Sequence, residues 1–77
     1  MYYVYAIKSI FRNYIYVGLT NNLERRFAEH NSGNNKITKA YRPFILIFSE
    51  LFDSRGKAKE KEKYLKSGVG KEFLKTL

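Results

Sequence analysis

The sequence has no cysteine in its 77 residues, which excludes a disulfide framework and any thiolate metal site. A reducing compartment is thereby permitted, though not required. No apolar run approaches the roughly 20 residues that span a bilayer. Met1 opens directly into strand-like sequence, with no basic leader or apolar signal core, so a cytoplasmic protein with no membrane partner is expected. Acidic residues are scarce: 7 Asp and Glu stand against 15 Lys and Arg, which leaves a net charge of +8 and a pI near 9.8. That excess favours polyanions, because each neutralised phosphate releases condensed counterions. Nucleic acid comes first, an anionic membrane surface is weaker, and lysines that merely keep the protein dispersed are the plain alternative. There is no internal repeat, low-complexity tract or linker, and the length allows one domain, residues 1–77, burying roughly 60% of its unfolded surface. With 44% hydrophobic and 17% aromatic residues, a compact core is expected despite 29% charged residues.

Two aromatic-rich segments near the N-terminus organise what is there. Tyr2-Tyr3-Val4-Tyr5-Ala6-Ile7 and Tyr14-Ile15-Tyr16-Val17-Gly18 are β-branched and aromatic, and the break at Phe11-Arg12-Asn13 predicts a hairpin. Alternation puts Val4, Ala6, Ile15 and Val17 on an apolar face and Tyr3, Tyr5, Tyr14 and Tyr16 on a phenolic one. Gly18 ends the second strand where a side chain would block close approach, and Asn21 or Asn22 caps a helix running to His30. Leu23 and Phe27 form that helix's inward stripe, and Arg26 and His30 share the stripe beside it.

Asn31-Ser32-Gly33-Asn34-Asn35 is the clearest loop. Lys36, Lys39 and Arg42 follow it around Tyr41, an arrangement able to meet a phosphate backbone with an aromatic ring for stacking; a solvated loop with one packed tyrosine is the equal alternative. Pro43 leads into Phe44-Ile45-Leu46-Ile47-Phe48, whose unbroken apolarity predicts a strand with little exposure on either face. Asp53-Ser54 offers a helix cap, Arg55 to about Lys66 a charged helix, and Gly68 a stop. Residues 70–77 predict a final turn or two, with Phe73, Leu74 and Leu77 available to dock.

Within the charged helix, Glu62 lies about 40° from Ala58 and about 60° from Leu65 at 100° per residue, so it faces the body of the protein while Glu60 does not. An inward carboxylate needs a cation, a hydrogen-bond network or a metal. Taken alone, a pair with Lys66 or Arg26 is the simpler outcome.

Tyr3-Val4-Tyr5, Tyr16-Val17-Gly18 and Asn21 to His30, in this order and spacing, resemble the GIY-YIG nucleases, specifically their small single-domain bacterial type. Arg42-Pro43 and the run Ala58 to Lys63 extend the likeness across nearly the whole chain. The resemblance implies an α+β fold, a small three-stranded antiparallel sheet flanked by helices. It implies that Glu62 binds one divalent cation, Mg²⁺ or Mn²⁺, and that Arg26 contacts the scissile phosphate. Tyr5 and Tyr16 would handle the attacking water or position it, and His30 would accept or relay a proton. A phenol of ordinary pKa near 10 is a poor base without a metal or cation beside it. Tyr3 departs from the glycine of the first name-giving triplet, and Leu19 stands where some repair-type members carry lysine.

The implied activity is metal-dependent hydrolysis of DNA phosphodiester bonds with low intrinsic sequence specificity, in repair or recombination, with a protein partner or substrate shape choosing the target. RNA stays open as a substrate. A nucleic-acid-binding module that has lost turnover is the alternative, and an adaptor with solubilising charge the third.

Overall fold

The computed structural model describes residues 1–77, and its elements follow closely from local chemistry. Strands β1 (Tyr2–Ser9) and β2 (Ile15–Thr20) form the expected hairpin, and β3 (Phe44–Phe52) pairs with the other side of β1. The result is a three-stranded antiparallel sheet in the order β2-β1-β3. Helix α1 (Leu23–Ser32) starts at Asn22, whose side chain accepts from the Arg25 amide at 3.1 Å. It ends at Gly33, whose φ of 85° is the left-handed conformation that a glycine adopts without strain. A short 3₁₀ turn (Lys39–Tyr41) leads into β3.

Helix α2 (Arg55–Lys66) is capped by Ser54 and α3 (Gly68–Lys75) by Ser67. Gly68 therefore opens a helix instead of stopping one, because the Ser67 hydroxyl accepts from the Gly70 amide at 3.3 Å and starts the next turn. No helix is long and apolar enough to cross a membrane.

Alternation along the strands gives two cores, one on each face of the sheet. Val4, Ala6 and Val17 pack against Ala58 and Leu65 of α2 and Leu74 of α3. Tyr5, Ile7 and Phe44 form the second core, covered by Leu23 and Phe27 of α1 together with Tyr14, Tyr16 and Tyr41. The apolar and phenolic faces are thus separated as the two-residue period requires.

Strand β3 corrects one expectation. Phe44 is buried, but Ile45, Leu46 and Leu51 are 48%, 40% and 47% exposed. The cause is position: β3 is an edge strand, and its register against β1 shifts between Ala6 and Ile7, so Ile47 has no partner of its own. The docking residues of α3 also divide: Leu74 is buried, Phe73 rests edge-on against Phe48, and Leu77 stays exposed.

Asn31, near the end of α1, fastens this layer to the sheet. Its side-chain oxygen accepts from the Phe44 amide at 2.6 Å, and its Nδ2 donates to the Phe44 carbonyl at 3.3 Å. One side chain thereby satisfies both main-chain groups of the first residue of an edge strand.

Candidate active site

Tyr5 sits on the central strand opposite Gly18, and its ring lies across that glycine. A Cβ at position 18 would fall 2.5 Å from the Tyr5 hydroxyl, so the missing side chain is what makes room for the phenol. The hydroxyl is 2.8 Å from His30 Nε2, and His30 Nδ1 is 2.8 Å from Thr38 Oγ1. All three side chains are fully buried. Burial holds the His30 pKa below its ordinary 6.5, the Arg26 guanidinium lowers it further, and Glu29 opposes both. The imidazole is therefore neutral at physiological pH, with one nitrogen to donate and one to accept.

Burial also pushes the Tyr5 phenol up to about 12; the Arg26 guanidinium beside it pulls the other way, while Tyr16 and, least of all, Glu62 add to the rise. Tyr16 shares the phenolic face on β2, its ring centroid 6.4 Å from Tyr5 and 5.0 Å from His30. Arg26 stands one helical turn before His30 and is half-buried, with its Nη1 3.2 Å from Glu29 Oε1. The Tyr5 hydroxyl is the leading cause of the rise in its pKa. The structure thus gathers Tyr5, Tyr16, Arg26 and His30 into one cluster. Arg25, pointing away, is 65% exposed.

Glu62 faces inward as its helical position predicts, with a side chain only 10% exposed. Its helix packs on the apolar face of the sheet, opposite the phenols, and its charge is the weakest of the causes that raise the Tyr5 pKa. Its direct partners are two ammonium groups: Lys59 Nζ 3.2 Å from Oε1 and Lys66 Nζ 3.3 Å from Oε2. The pair with Lys66 matches the simpler expectation, and Arg26 pairs with Glu29 instead. No three His, Cys, Asp or Glu side chains converge to form a metal cage. What remains is one hard carboxylate, chemically able to be the single protein oxygen ligand of a hydrated divalent cation, with two ammonium groups that such a cation would have to displace.

Lys36, Lys39 and Arg42 are exposed along the connection between α1 and β3. Tyr41 is not free beside them: it is stacked on Tyr14 at 3.9 Å, with the Arg12 guanidinium over its ring. One face of that ring is thus already covered by Tyr14. Asn31 and Ser32, expected in the loop, belong to the last turn of α1, and the roles of Asn31 and Thr38 were not legible, since a lone polar residue has no period that reveals where it points.

Two phenols, a guanidinium and an imidazole on one face of this sheet coincide with a match of residues 1–75 to the GIY-YIG catalytic domain. The chain belongs to the GIY-YIG family. Among relatives of this GIY-YIG protein, a UPF0213 protein of Staphylococcus haemolyticus is 38% identical over 77 residues, 99% of this chain and 93% of the relative. Another, from Natronomonas pharaonis, is 40% identical over 67 residues, 86% of this chain and 78% of its own. The solution NMR structure of a UPF0213 protein from Bacillus halodurans is 32% identical, with a TM-score of 0.58 over 99% of this chain and 84% of that one. The α+β architecture is accordingly the GIY-YIG fold, and the family is of nuclease type.

Proposed function

We propose that this GIY-YIG protein is a single-domain endonuclease that hydrolyses DNA phosphodiester bonds with one divalent cation, Mg²⁺ or Mn²⁺, held by Glu62. The observation that carries the reading is the bond from the buried Tyr5 hydroxyl to His30 Nε2, beside a guanidinium and within the field of a carboxylate. When bound, the cation supplies Lewis-acid stabilisation of phosphoryl charge and a lowered pKa for nearby water. As water oxygen attacks phosphorus, Tyr5 takes the water proton at its oxygen and passes its own to His30 Nε2. The P–O bond to the departing sugar oxygen breaks, and that oxygen takes a proton from solvent. His30 Nδ1–H donates to Thr38 Oγ1, so both N–H groups of the imidazolium are paired. This route spares Tyr5 a phenolate, which its pKa of about 12 would make costly at neutral pH, but it charges His30, which burial and Arg26 oppose and only Glu29 favours. Arg26 offsets charge gathering on the phosphoryl oxygens. Tyr16 positions water or phosphate, and Lys36, Lys39 and Arg42 bind flanking backbone.

A cleavage panel over single-stranded, duplex, flapped and branched DNA, with and without Mg²⁺ or Mn²⁺, tests this. Cleavage that is lost in Glu62→Ala and Tyr5→Phe is expected; metal-dependent cleavage unchanged by both substitutions overturns the assignment. The lysines occupying both Glu62 oxygens favour one rival, a binding module without turnover, which predicts DNA retention and no cleavage of any substrate.

A further inference from the structure

Both oxygens of Glu62 are held by exposed ammonium groups from its own helix. Lys59 and Lys66 are 64% and 54% exposed, on long tethers, yet their ammonium groups converge on a carboxylate that is 10% exposed. At 100° per residue, Lys59, Lys63 and Lys66 fall within about 60° of one another, so a basic stripe runs beside the carboxylate. Two ammonium groups carry the same charge as one divalent cation. Exchanging one for the other leaves Glu62 equally neutralised and releases two exposed lysines on the same helix.

We infer that Lys59 and Lys66 are resident counterions of Glu62 that the divalent cation displaces, and that the freed pair then binds phosphates of the nucleic-acid backbone. The inference rests on the metal-binding reading of Glu62 given above. Metal and nucleic acid are thereby coupled: each raises the affinity for the other by the same factor, since linkage is reciprocal. The device needs no conformational change beyond the two side chains.

Two measurements on the full chain test it, neither requiring turnover. In the first, Mn²⁺ binding is followed by the electron paramagnetic resonance of the free ion. Lys59→Gln/Lys66→Gln binds Mn²⁺ roughly two- to ten-fold more tightly than the parent, since two competing cations are gone. Glu62→Gln loses this binding. In the second, the salt dependence of duplex binding is measured in EDTA. Glu62→Gln frees the lysines without metal, so its log–log slope is steeper than the parent's by about 1.8, the value for two further phosphate contacts. Adding Lys59→Gln/Lys66→Gln to Glu62→Gln restores the parental slope. Far-UV circular dichroism verifies that every variant folds.

Glu62-dependent Mn²⁺ binding that ignores the lysines, or equal slopes for the parent and Glu62→Gln, overturns the exchange and leaves the metal reading standing. A parent that binds Mn²⁺ no better than Glu62→Gln overturns both, whereas failure to retain duplex at any salt concentration overturns the exchange alone.

Discussion

The Tyr5 hydroxyl occupies the space that a side chain at Gly18 would fill, with 2.5 Å separating it from the position of a Cβ there. The two residues are cross-strand partners, so neither can move far without disturbing the β1–β2 ladder. Gly18→Ala is expected to destabilise the protein by about 1–3 kcal/mol, as overpacking of a buried ring does. Thermal denaturation measures the loss, and cleavage should fall with it as the phenol leaves His30.

Tyr5→Phe and Tyr16→Phe remove chemically identical hydroxyls from unlike settings. Tyr5→Phe strands a buried imidazole nitrogen, with an expected stability loss of about 1–3 kcal/mol. Its cleavage rate should drop by about 10²-fold or more, the usual scale for losing a proton-transfer group. Tyr16 is half-buried, and its substitution should change stability by under about 0.5 kcal/mol. Paired urea titrations and single-turnover rates separate the two positions.

Stability should also depend on the His30 proton. Its pKa is lowered in the fold, so the contribution is complete above the unfolded value of 6.5 and lost as pH falls through the folded value. Below 6.5 the unfolded chain binds a proton that the buried ring resists. Tyr5 works in the opposite sense, its contribution complete below pH 10 and lost as pH rises toward about 12. Urea denaturation at about pH 7.5 and about pH 5 should show a larger drop for the parent than for His30→Gln, which retains polarity but does not titrate.

The two ends of β3's apolar run should respond in opposite ways. Phe44→Ala removes a buried ring and is expected to cost about 3–5 kcal/mol. Ile45→Thr and Leu46→Thr, at half-exposed edge positions, should stay within about 0.5 kcal/mol. Chemical denaturation midpoints decide between this pattern and a uniformly buried strand.

That contrast marks where sequence reasoning stops. Caps are local chemistry, so the sequence narrowed them to Asn21 or Asn22 and to Asp53-Ser54, of which Asn22 and Ser54 serve; strand alternation is local too, and it separated Val4, Ala6 and Val17 from Tyr5 and Tyr16. The inward turn of Glu62 followed from helical period alone. Exposure of Ile45 and Leu46 did not, because an apolar run carries no mark of whether its strand has one neighbour or two. Gly68 misled for a related reason: a glycine after a helix suggests an end, and only the Ser67 hydroxyl reveals a new beginning. Tyr41 was correctly placed in the connection, but its stacking on Tyr14 brings together residues far apart in the chain.

The Asn31 clasp on Phe44 reaches beyond its own hydrogen bonds. It anchors the same helix that presents Arg26 and His30, so the tilt of that helix over the phenols is inherited from the main chain of β3. A residue that touches neither phenol nor guanidinium thus acts as the hinge pin of the cluster, and loosening it would let the helix rock while every reacting group stayed chemically intact.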